Sequence, residues 1–315
     1  MELRAHRAIR RQACLTPGRH SGVALWTVPR GRRVGGWGYR RLVRILVTND
    51  DGIDSVGLHA LATALLPIGD VVVVAPDAEY SGAGAAIGPI HITQPEVQRI
   101  EVDGREAWTV NGPPGLCVYI ARLGAFGPPP DLIVSGINPG ANVGRAIYHS
   151  GTVGAALTAR NGGLSGIAVS QEVSADAEVE GQGLEAALAN QLWESAATVA
   201  AQVVAGFTAA PPKGPVVLNV NVPNLPVDEI KGWRYCEIGR APSRGMTSVR
   251  LEPRPGHERS FRVVMQPGPP NTLAPEVDGG AVEDGFVALS WLSRIEHVES
   301  DGGGVGPALD ALLTR

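Results

Sequence analysis

Short runs of β-branched and other apolar residues recur along the chain, and they constrain its fold more than any other feature. They predict strands at residues 42–48, 70–75, 131–135, 166–170 and 216–222. A continuous run such as Val71–Val74 is typical of a parallel strand that helices cover on both faces. Helical patterns separate the runs, at residues 56–66, 154–160 and 184–205. This alternation predicts βαβ units and a Rossmann-like, doubly wound, mostly parallel α/β sheet.

The pattern changes after about residue 224, where Pro, Gly and Arg become frequent and helical periodicity weakens. Hairpins are predicted around residues 233–238, 260–264 and 287–291. We interpret residues 225–300 as a C-terminal β-hairpin arm on an α/β core of residues 43–224. Together they form one expected domain over 43–300, followed by a tail over 301–315.

Charge is distributed unevenly along the chain. The first 44 residues contain 11 Arg and one acidic residue, a net charge of +10, whereas the remainder carries −14. No apolar segment of about 7–15 residues follows Arg10 and Arg11, so the start does not resemble a secretory signal. We expect residues 1–42 to be a basic, disordered and dispensable N-terminal extension. Nucleic-acid binding by this segment is an alternative, but its lack of Lys and the acidity of the rest disfavour it.

The composition indicates the cellular compartment in which the protein is expected. The chain has only 3 Cys, widely spaced, which argues against a disulfide framework and fits a reducing environment. No apolar run approaches the roughly 18 residues that suggest a membrane span. We therefore expect a cytoplasmic protein without a membrane or nucleic-acid partner.

The first predicted strand ends abruptly in Asn49-Asp50-Asp51-Gly52. In an open α/β sheet, ligands bind in the crevice outside the carboxyl ends of the strands. Two adjacent carboxylates disfavour joint ionisation there, and a divalent cation with hard oxygen ligands removes that cost. Asp-Asp-Gly is also ordinary turn and helix-capping chemistry. This segment alone leaves both interpretations open.

Three further polar loops follow predicted strands, at residues 75–84, 135–142 and 148–152. Parallel strands would bring all four loops together along one rim of the sheet. The loops combine carboxylate, amide and hydroxyl oxygens for a cation with glycines that allow close approach to a ligand. Ser150-Gly151-Thr152 opens a predicted helix, whose free N–H groups suit an anion. The combination predicts a metal-and-phosphate site.

These motifs closely resemble the SurE family of nucleotidases, which hydrolyse nucleoside 5′- and 3′-monophosphates with a divalent metal. The resemblance covers residues 43–222 and lies in Thr48–Gly52, Val74–Asp77 with Ser81-Gly82, Ser135–Asn138, Ser150–Val153 and Asn221–Pro223. It implies a Rossmann-like core and a C-terminal arm exchanged between subunits of a homodimer or homotetramer. It also implies a nucleoside monophosphate substrate.

The resemblance implies the site residues as well. One Mg²⁺ or Mn²⁺ per subunit would be held by Asp50, Asp51, Ser81 and Asn138, with both aspartates catalytic. The phosphate pocket would comprise Asn49, Gly82, Asn142, Ser150, Gly151 and Thr152. The chain departs from the family pattern at Leu116, where an acidic residue is usual, at Ala83, Ala85 and Ala86, and at Ser290-Trp291-Leu292.

Other mechanisms fit less well. A nucleotide-binding regulatory protein with weak turnover is the main alternative, made conceivable by Leu116 and disfavoured by the retention of both aspartates. A nucleophilic pair of His149 and Ser150 is disfavoured because adjacent side chains rarely meet in the required geometry and no Gly-x-Ser-x-Gly motif is present. The Asp-x-Asp spacing of haloacid-dehalogenase phosphatases is absent.

Overall fold

A computed structural model describes residues 42–92, 94–173, 188–241, 244–257 and 259–293, with isolated residues at 295, 305, 309–310 and 313. These residues belong to one compact unit spanning Arg41–Arg315. The expected extension over 1–42 and the tail over 301–315 lie almost entirely outside the described residues, and both stay predictions.

The described part consists of eleven strands and five α-helices, with two short 3₁₀ helices at Gly144–Tyr148 and Val227–Glu229. In chain order these are β1 (Val43–Thr48), α1 (Val56–Leu65), β2 (Gly69–Pro76), β3 (Val97–Val102), β4 (Arg105–Val110), α2 (Pro114–Arg122), β5 (Leu132–Pro139), α3 (Gly151–Asn161), β6 (Ser165–Gln171), α4 (Trp193–Ala209), β7 (Val217–Val222), β8 (Trp233–Tyr235), β9 (Arg244–Pro253), β10 (Phe261–Pro270), α5 (Asp278–Glu283) and β11 (Val287–Leu292).

Nine strands form the main sheet, in the order β3-β4-β2-β1-β5-β6-β7-β11-β8. The run from β4 to β7 is parallel throughout, whereas β3 and β11 join antiparallel to their neighbours β4 and β7. The remaining strands, β9 and β10, pair with each other in a separate antiparallel hairpin. The predicted α/β class, with a mostly parallel sheet and a C-terminal hairpin, is confirmed.

Helices cover both faces of the sheet, which explains the continuous apolar runs. Along β1, Ile45 packs in a core cluster with Leu58 and other residues of α1 and α4. The next residue, Leu46, packs in a second cluster with Val118 of α2 and Ala155 of α3. Both faces of such a strand must therefore be apolar.

The helix layers also determine where a ligand site can form. The strand β1 is followed by α1 on one face, and its neighbour β5 is followed by α3 on the other. The carboxyl ends of β1 and β5 therefore flank a topological switch point, the position at which open α/β sheets bind ligands.

Two predictions of secondary structure were wrong. The long helix expected over 184–205 begins at Trp193 and ends at Ala209, and residues 184–187 lie outside the described part. Side-chain bonds hold the preceding residues out of the helix: Gln191 Nε2 donates to Glu172 O over 2.7 Å, and Leu192 N donates to Asn224 Oδ1 over 2.9 Å.

The expected hairpins around 233–238 and 287–291 do not form. Instead β11 pairs antiparallel with β7, and β8 pairs parallel with β11, so both extend the main sheet. Val287 and Ala288 are buried there, which explains their apolar character. The hairpin proper is confined to β9 and β10, and the proposed division between core and arm stays a prediction.

Candidate active site

Asp50 follows β1 and is held by the first turn of α3. Its side chain is only 2% exposed. Gly151 N donates to Asp50 Oδ2 over 3.1 Å, and the Thr152 hydroxyl donates to Oδ1. Burial raises the pKa of Asp50, and the hydrogen bonds from Thr152 and Gly151 oppose that rise. The positive end of the helix thus stabilises this carboxylate.

The same contacts change the role expected for the helix N-terminus. Ser150 is the N-cap, and its Oγ accepts from Val153 N over 3.0 Å. Gly154 N donates to the carbonyl of Ser150 over 2.9 Å. The first-turn N–H groups expected to face a phosphate are thus directed to Asp50 and Ser150. The capping role of the Ser150 hydroxyl also gives no support to a nucleophilic pair with His149, whose side chain is exposed.

Glycine at position 151 makes this arrangement possible. A Cβ atom there would lie 2.7 Å from Asp50 Oδ2, closer than non-bonded atoms approach. The backbone of α3 can therefore reach the carboxylate only because residue 151 has no side chain.

Asp51 lies in a different electrostatic environment from Asp50. Its Oδ2 is buried and has no hydrogen-bond partner. Burial, followed by the charges of Asp50 and Glu79, raises the pKa of Asp51 to about 8. An unpartnered buried carboxylate oxygen beside a second carboxylate fits a site for a hard divalent cation.

Asn138 contributes a neutral oxygen at the end of β5. Its Nδ2 donates to Gly140 O over 2.7 Å and to Pro139 O over 3.2 Å. Its Oδ1 lies 3.3 Å from the Thr152 hydroxyl, which also bonds Asp50. The carbonyl contacts fix the amide with its oxygen toward the Thr152 hydroxyl, which bonds Asp50. An irregularity in the pairing of β5 with β6 between Ser135 and Asn138 re-aims this end of the strand.

The loop after β2 carries Ser81 and Gly82 and is attached to the same rim at two points. Tyr80 N donates to Asp50 O over 2.7 Å, and Gly84 N donates to His149 O over 3.0 Å. Ser81 and Gly82 are exposed between these attachments. Gly82 has φ +84°, a conformation that favours glycine.

The two asparagines predicted for the phosphate pocket, Asn49 and Asn142, are both buried. Asn49 is fully buried, and its Nδ2 donates to Gly52 O over 2.9 Å, which closes the Asp-Asp-Gly turn. Asn142 Nδ2 donates to Ser170 Oγ over 2.8 Å, and its backbone N donates to Asn221 Oδ1 over 2.8 Å. Both side chains therefore hold the loops that carry the other site residues.

The site residues predicted from the sequence did not include Glu79, Asn219 or Asn221, which lie around the site. Glu79 adds negative charge near Asp51. Asn219 and Asn221 of β7 hold the backbone of Asn142, with Asn219 Nδ2 donating to Asn142 O over 2.8 Å. The spacing of Asn219 and Asn221 could have indicated a shared role, because two polar residues at i and i+2 of an apolar strand lie on the same face. Leu116, where the chain departs from the family pattern, is buried in the apolar cluster of α2.

No group of three or more His, Cys, Asp or Glu side chains suited to a metal occurs in the described part of the chain. The candidate metal site therefore combines two carboxylates with neutral oxygens. Within the same residues, no helix is both long and apolar enough to cross a membrane.

Several known proteins resemble this chain over most of its length. The family model "Survival protein SurE" matches residues 45–244. The 5′-nucleotidase SurE of Aeromonas hydrophila is 34% identical over 271 residues, which cover 85% of this chain and 99% of that protein. The 5′-nucleotidase SurE of Legionella pneumophila strain Corby is 36% identical over 244 residues, covering 78% and 86% respectively.

Two further relatives extend the agreement. The 5′/3′-nucleotidase SurE of Serratia proteamaculans is 32% identical over 250 residues, covering 79% of this chain and 90% of that protein. The crystal structure of the SurE protein from Aquifex aeolicus superposes with a TM-score of 0.63 at 29% identity, covering 85% of this chain and 99% of that one. The fold, the arrangement of the motifs and these similarities together show that the chain belongs to the SurE family.

Proposed function

We propose that this protein is a metal-dependent phosphomonoesterase that hydrolyses nucleoside 5′- and 3′-monophosphates to nucleoside and phosphate. The curated relatives are named as 5′- or 5′/3′-nucleotidases. The observation that carries the proposal is the adjacent pair Asp50 and Asp51 at the switch point, with a buried Asp51 oxygen that has no partner.

Asp50, Asp51, Ser81 and Asn138 would hold one Mg²⁺ or Mn²⁺ per subunit. When bound, such an ion neutralises phosphoryl charge and acidifies water, which is the main requirement of phosphate-monoester hydrolysis. Asp50 enters the reaction already oriented by Gly151 and Thr152. Asn138 adds its fixed amide oxygen, and the exposed Gly82 allows close approach of a phosphate group.

The six predicted phosphate-pocket residues divide into two roles in this proposal. Gly82 lies on the exposed rim and would face the phosphate directly. Asn49, Asn142, Ser150, Gly151 and Thr152 would support the pocket by fixing the loops and the carboxylate around it. This division is supported by their burial and by the hydrogen bonds that they already make.

We also propose a cytoplasmic location and a homodimer or homotetramer assembled through the β9–β10 hairpin. The two cysteines in the described part, Cys117 and Cys236, are both free. One face of the hairpin is apolar and exposed: it comprises Val249, Leu251, Pro253, Phe261, Val263 and Met265, which the pairing register places on the same side. An exposed apolar face of this kind suits protein association.

Phosphate release from a panel of nucleoside monophosphates, with Mg²⁺, Mn²⁺ or EDTA, tests the activity. We expect metal-dependent turnover in the wild type and a loss of at least about a hundredfold in Asp51→Asn, since the variant removes one of two charged ligands. Asp54→Asn is the matched control, because Asp54 is exposed three residues further along the same loop. Nucleotide binding without turnover under every metal condition would instead favour the regulatory alternative.

A further inference from the structure

Asp278 is a buried carboxylate outside the site that joins distant parts of the chain. It opens α5 and is only 1% exposed. Its Oδ2 accepts from Gly144 N over 2.8 Å, and its Oδ1 accepts from Gly239 N and Gly279 N, both over 2.9 Å. Gly144 is separated from Asp278 by 134 residues and Gly239 by 39. Hydrogen bonds to both oxygens offset the cost of burying this group.

Gly144 begins the stretch of chain that leads into the active site. The 3₁₀ helix Gly144–Tyr148 runs without interruption to the N-cap Ser150, and the next residue donates to Asp50. The same stretch accepts from the loop that carries Ser81, through Gly84 N and His149 O. Residues 144–150, here the 144–150 segment, therefore contact two parts of the candidate metal site.

The start of this segment fits tightly against the C-terminal part of the chain. Gly144 has φ +54°, and a Cβ atom there would lie 3.0 Å from Gly239 O and 3.2 Å from Ala241 O. The Asp278 carboxylate thus fixes the position of Gly144, and the surrounding backbone leaves Gly144 little room to move.

We infer that Asp278 is a positioning residue of the active site, whose carboxylate fixes the 144–150 segment and through it Gly151 against Asp50. The inference rests on the proposed role of Asp50 as a metal ligand. Asp278 touches no reacting group and acts only through the backbone that it holds.

The substitution Asp278→Asn isolates this function because an amide has one oxygen rather than two. If the amide oxygen serves Gly239 and Gly279, the NH₂ group faces the N–H of Gly144, and two donors then oppose each other. The reverse orientation leaves two N–H groups without an acceptor. Either arrangement weakens the contacts that join Gly144, Gly239 and Gly279, while the side chain keeps its size.

The test measures binding of Mn²⁺ alone by calorimetry, together with KM, kcat and the melting temperature. For Asp278→Asn we expect cooperative melting and an Mn²⁺ affinity about tenfold weaker than wild type, in the range found when groups supporting a metal ligand are lost. Asp284→Asn is the control, since it removes the same charge from an exposed residue near α5. Its Mn²⁺ affinity should equal that of the wild type.

A lower melting temperature in Asp278→Asn with unchanged Mn²⁺ affinity and KM would overturn the inference, because it would show a purely structural role. So would an equal loss of affinity in Asp284→Asn. Wild-type turnover, measured in the same series, tests the proposed function separately. Mn²⁺ affinity decides the present inference whether or not that turnover is found.

Gly144→Ala provides a second route to the same junction if Asp278→Asn does not fold. It disturbs the segment at its start and leaves the carboxylate intact. Reduced Mn²⁺ affinity in this variant supports the positioning role, and wild-type affinity in the folded variant contradicts it.

Discussion

At the scale of single residues, the two aspartates differ although they are adjacent. Asp50 accepts hydrogen bonds from Gly151 and Thr152, whereas Asp51 Oδ2 has no partner and its pKa is raised to about 8. Asp50 therefore resembles a ligand fixed in advance. Asp51 carries the cost of burial until a cation compensates its charge.

This difference predicts how the stability of the metal-free protein depends on pH. The pKa of Asp51 is about 8 in the folded chain against a reference value of 3.8. Between these values the folded state binds more protons at Asp51 than the unfolded state, so its contribution lowers stability as pH rises from about 4 to about 8. Asp51→Asn removes that contribution.

In EDTA, Asp51→Asn should therefore melt at a higher temperature than the wild type, with a difference that grows from pH 5 to pH 8. Differential scanning calorimetry across that range measures it, with Asp54→Asn as the exposed control. A difference that stays constant with pH would contradict the raised pKa of Asp51.

The sequence predicted which loops meet at the candidate site, but not the hydrogen bonds that their residues make. The motif Ser150-Gly151-Thr152 correctly predicted a helix start, and its free N–H groups suggested a phosphate site. In the structure the N–H group of Gly151 instead donates to Asp50, from which it is separated by 101 residues. Local sequence does not encode a pairing over that separation, because the pairing depends on β5 bringing α3 next to the end of β1.

At the scale of secondary-structure elements, prediction succeeded where burial was complete. The strands β1, β2, β5, β6 and β7 are covered on both faces, and their continuous apolar runs were recognisable. The edge strand β3 was missed because its residues are mostly exposed and no such run exists. The helix α2 was missed although Pro114 stands at its first position, a common helix start.

A glycine-to-alanine substitution should lower activity where α3 contacts Asp50, and should raise stability at an open position of α4. Gly151→Ala places a methyl group 2.7 Å from Asp50 Oδ2 and should reduce kcat/KM by about ten- to a hundredfold. Gly206→Ala lies in the interior of α4, where a Cβ atom meets nothing within 4 Å, and should stabilise the protein by about 0.5–1 kcal/mol.

Steady-state kinetics and urea unfolding of both variants measure these effects. Wild-type kinetics in a folded Gly151→Ala protein would show that α3 does not need to approach Asp50 so closely. A loss of activity in Gly206→Ala would show that alanine substitution in a helix is harmful for a reason other than this contact.

At the scale of the whole molecule, the β9–β10 hairpin stands apart from the main sheet. Val263 pairs with Leu251 and Met265 pairs with Val249, and all four side chains are more than half exposed. An isolated two-stranded hairpin is marginally stable in water. Burial of this face against a second copy would stabilise both the hairpin and the assembly.

Leu251→Lys should therefore shift the protein from an oligomer to a monomer, because a charge in the centre of the apolar face opposes its burial. Ser248→Lys introduces the same side chain on the opposite face of the same strand and should leave the mass unchanged. Light scattering after size-exclusion chromatography measures both. A monomeric wild type, or an unchanged oligomer in Leu251→Lys, would contradict assembly through this face.

The two edge strands of the main sheet determine how readily a strand from another chain can add to it. One edge, β8, is three residues long, and the other, β3, is largely exposed and carries Arg99 in an ion pair with Glu106 of β4. Short and charged edges are poor templates for a strand from another chain. Within the described part of the chain, both edges of the sheet therefore disfavour the addition of a further strand, the step by which sheets grow into fibres.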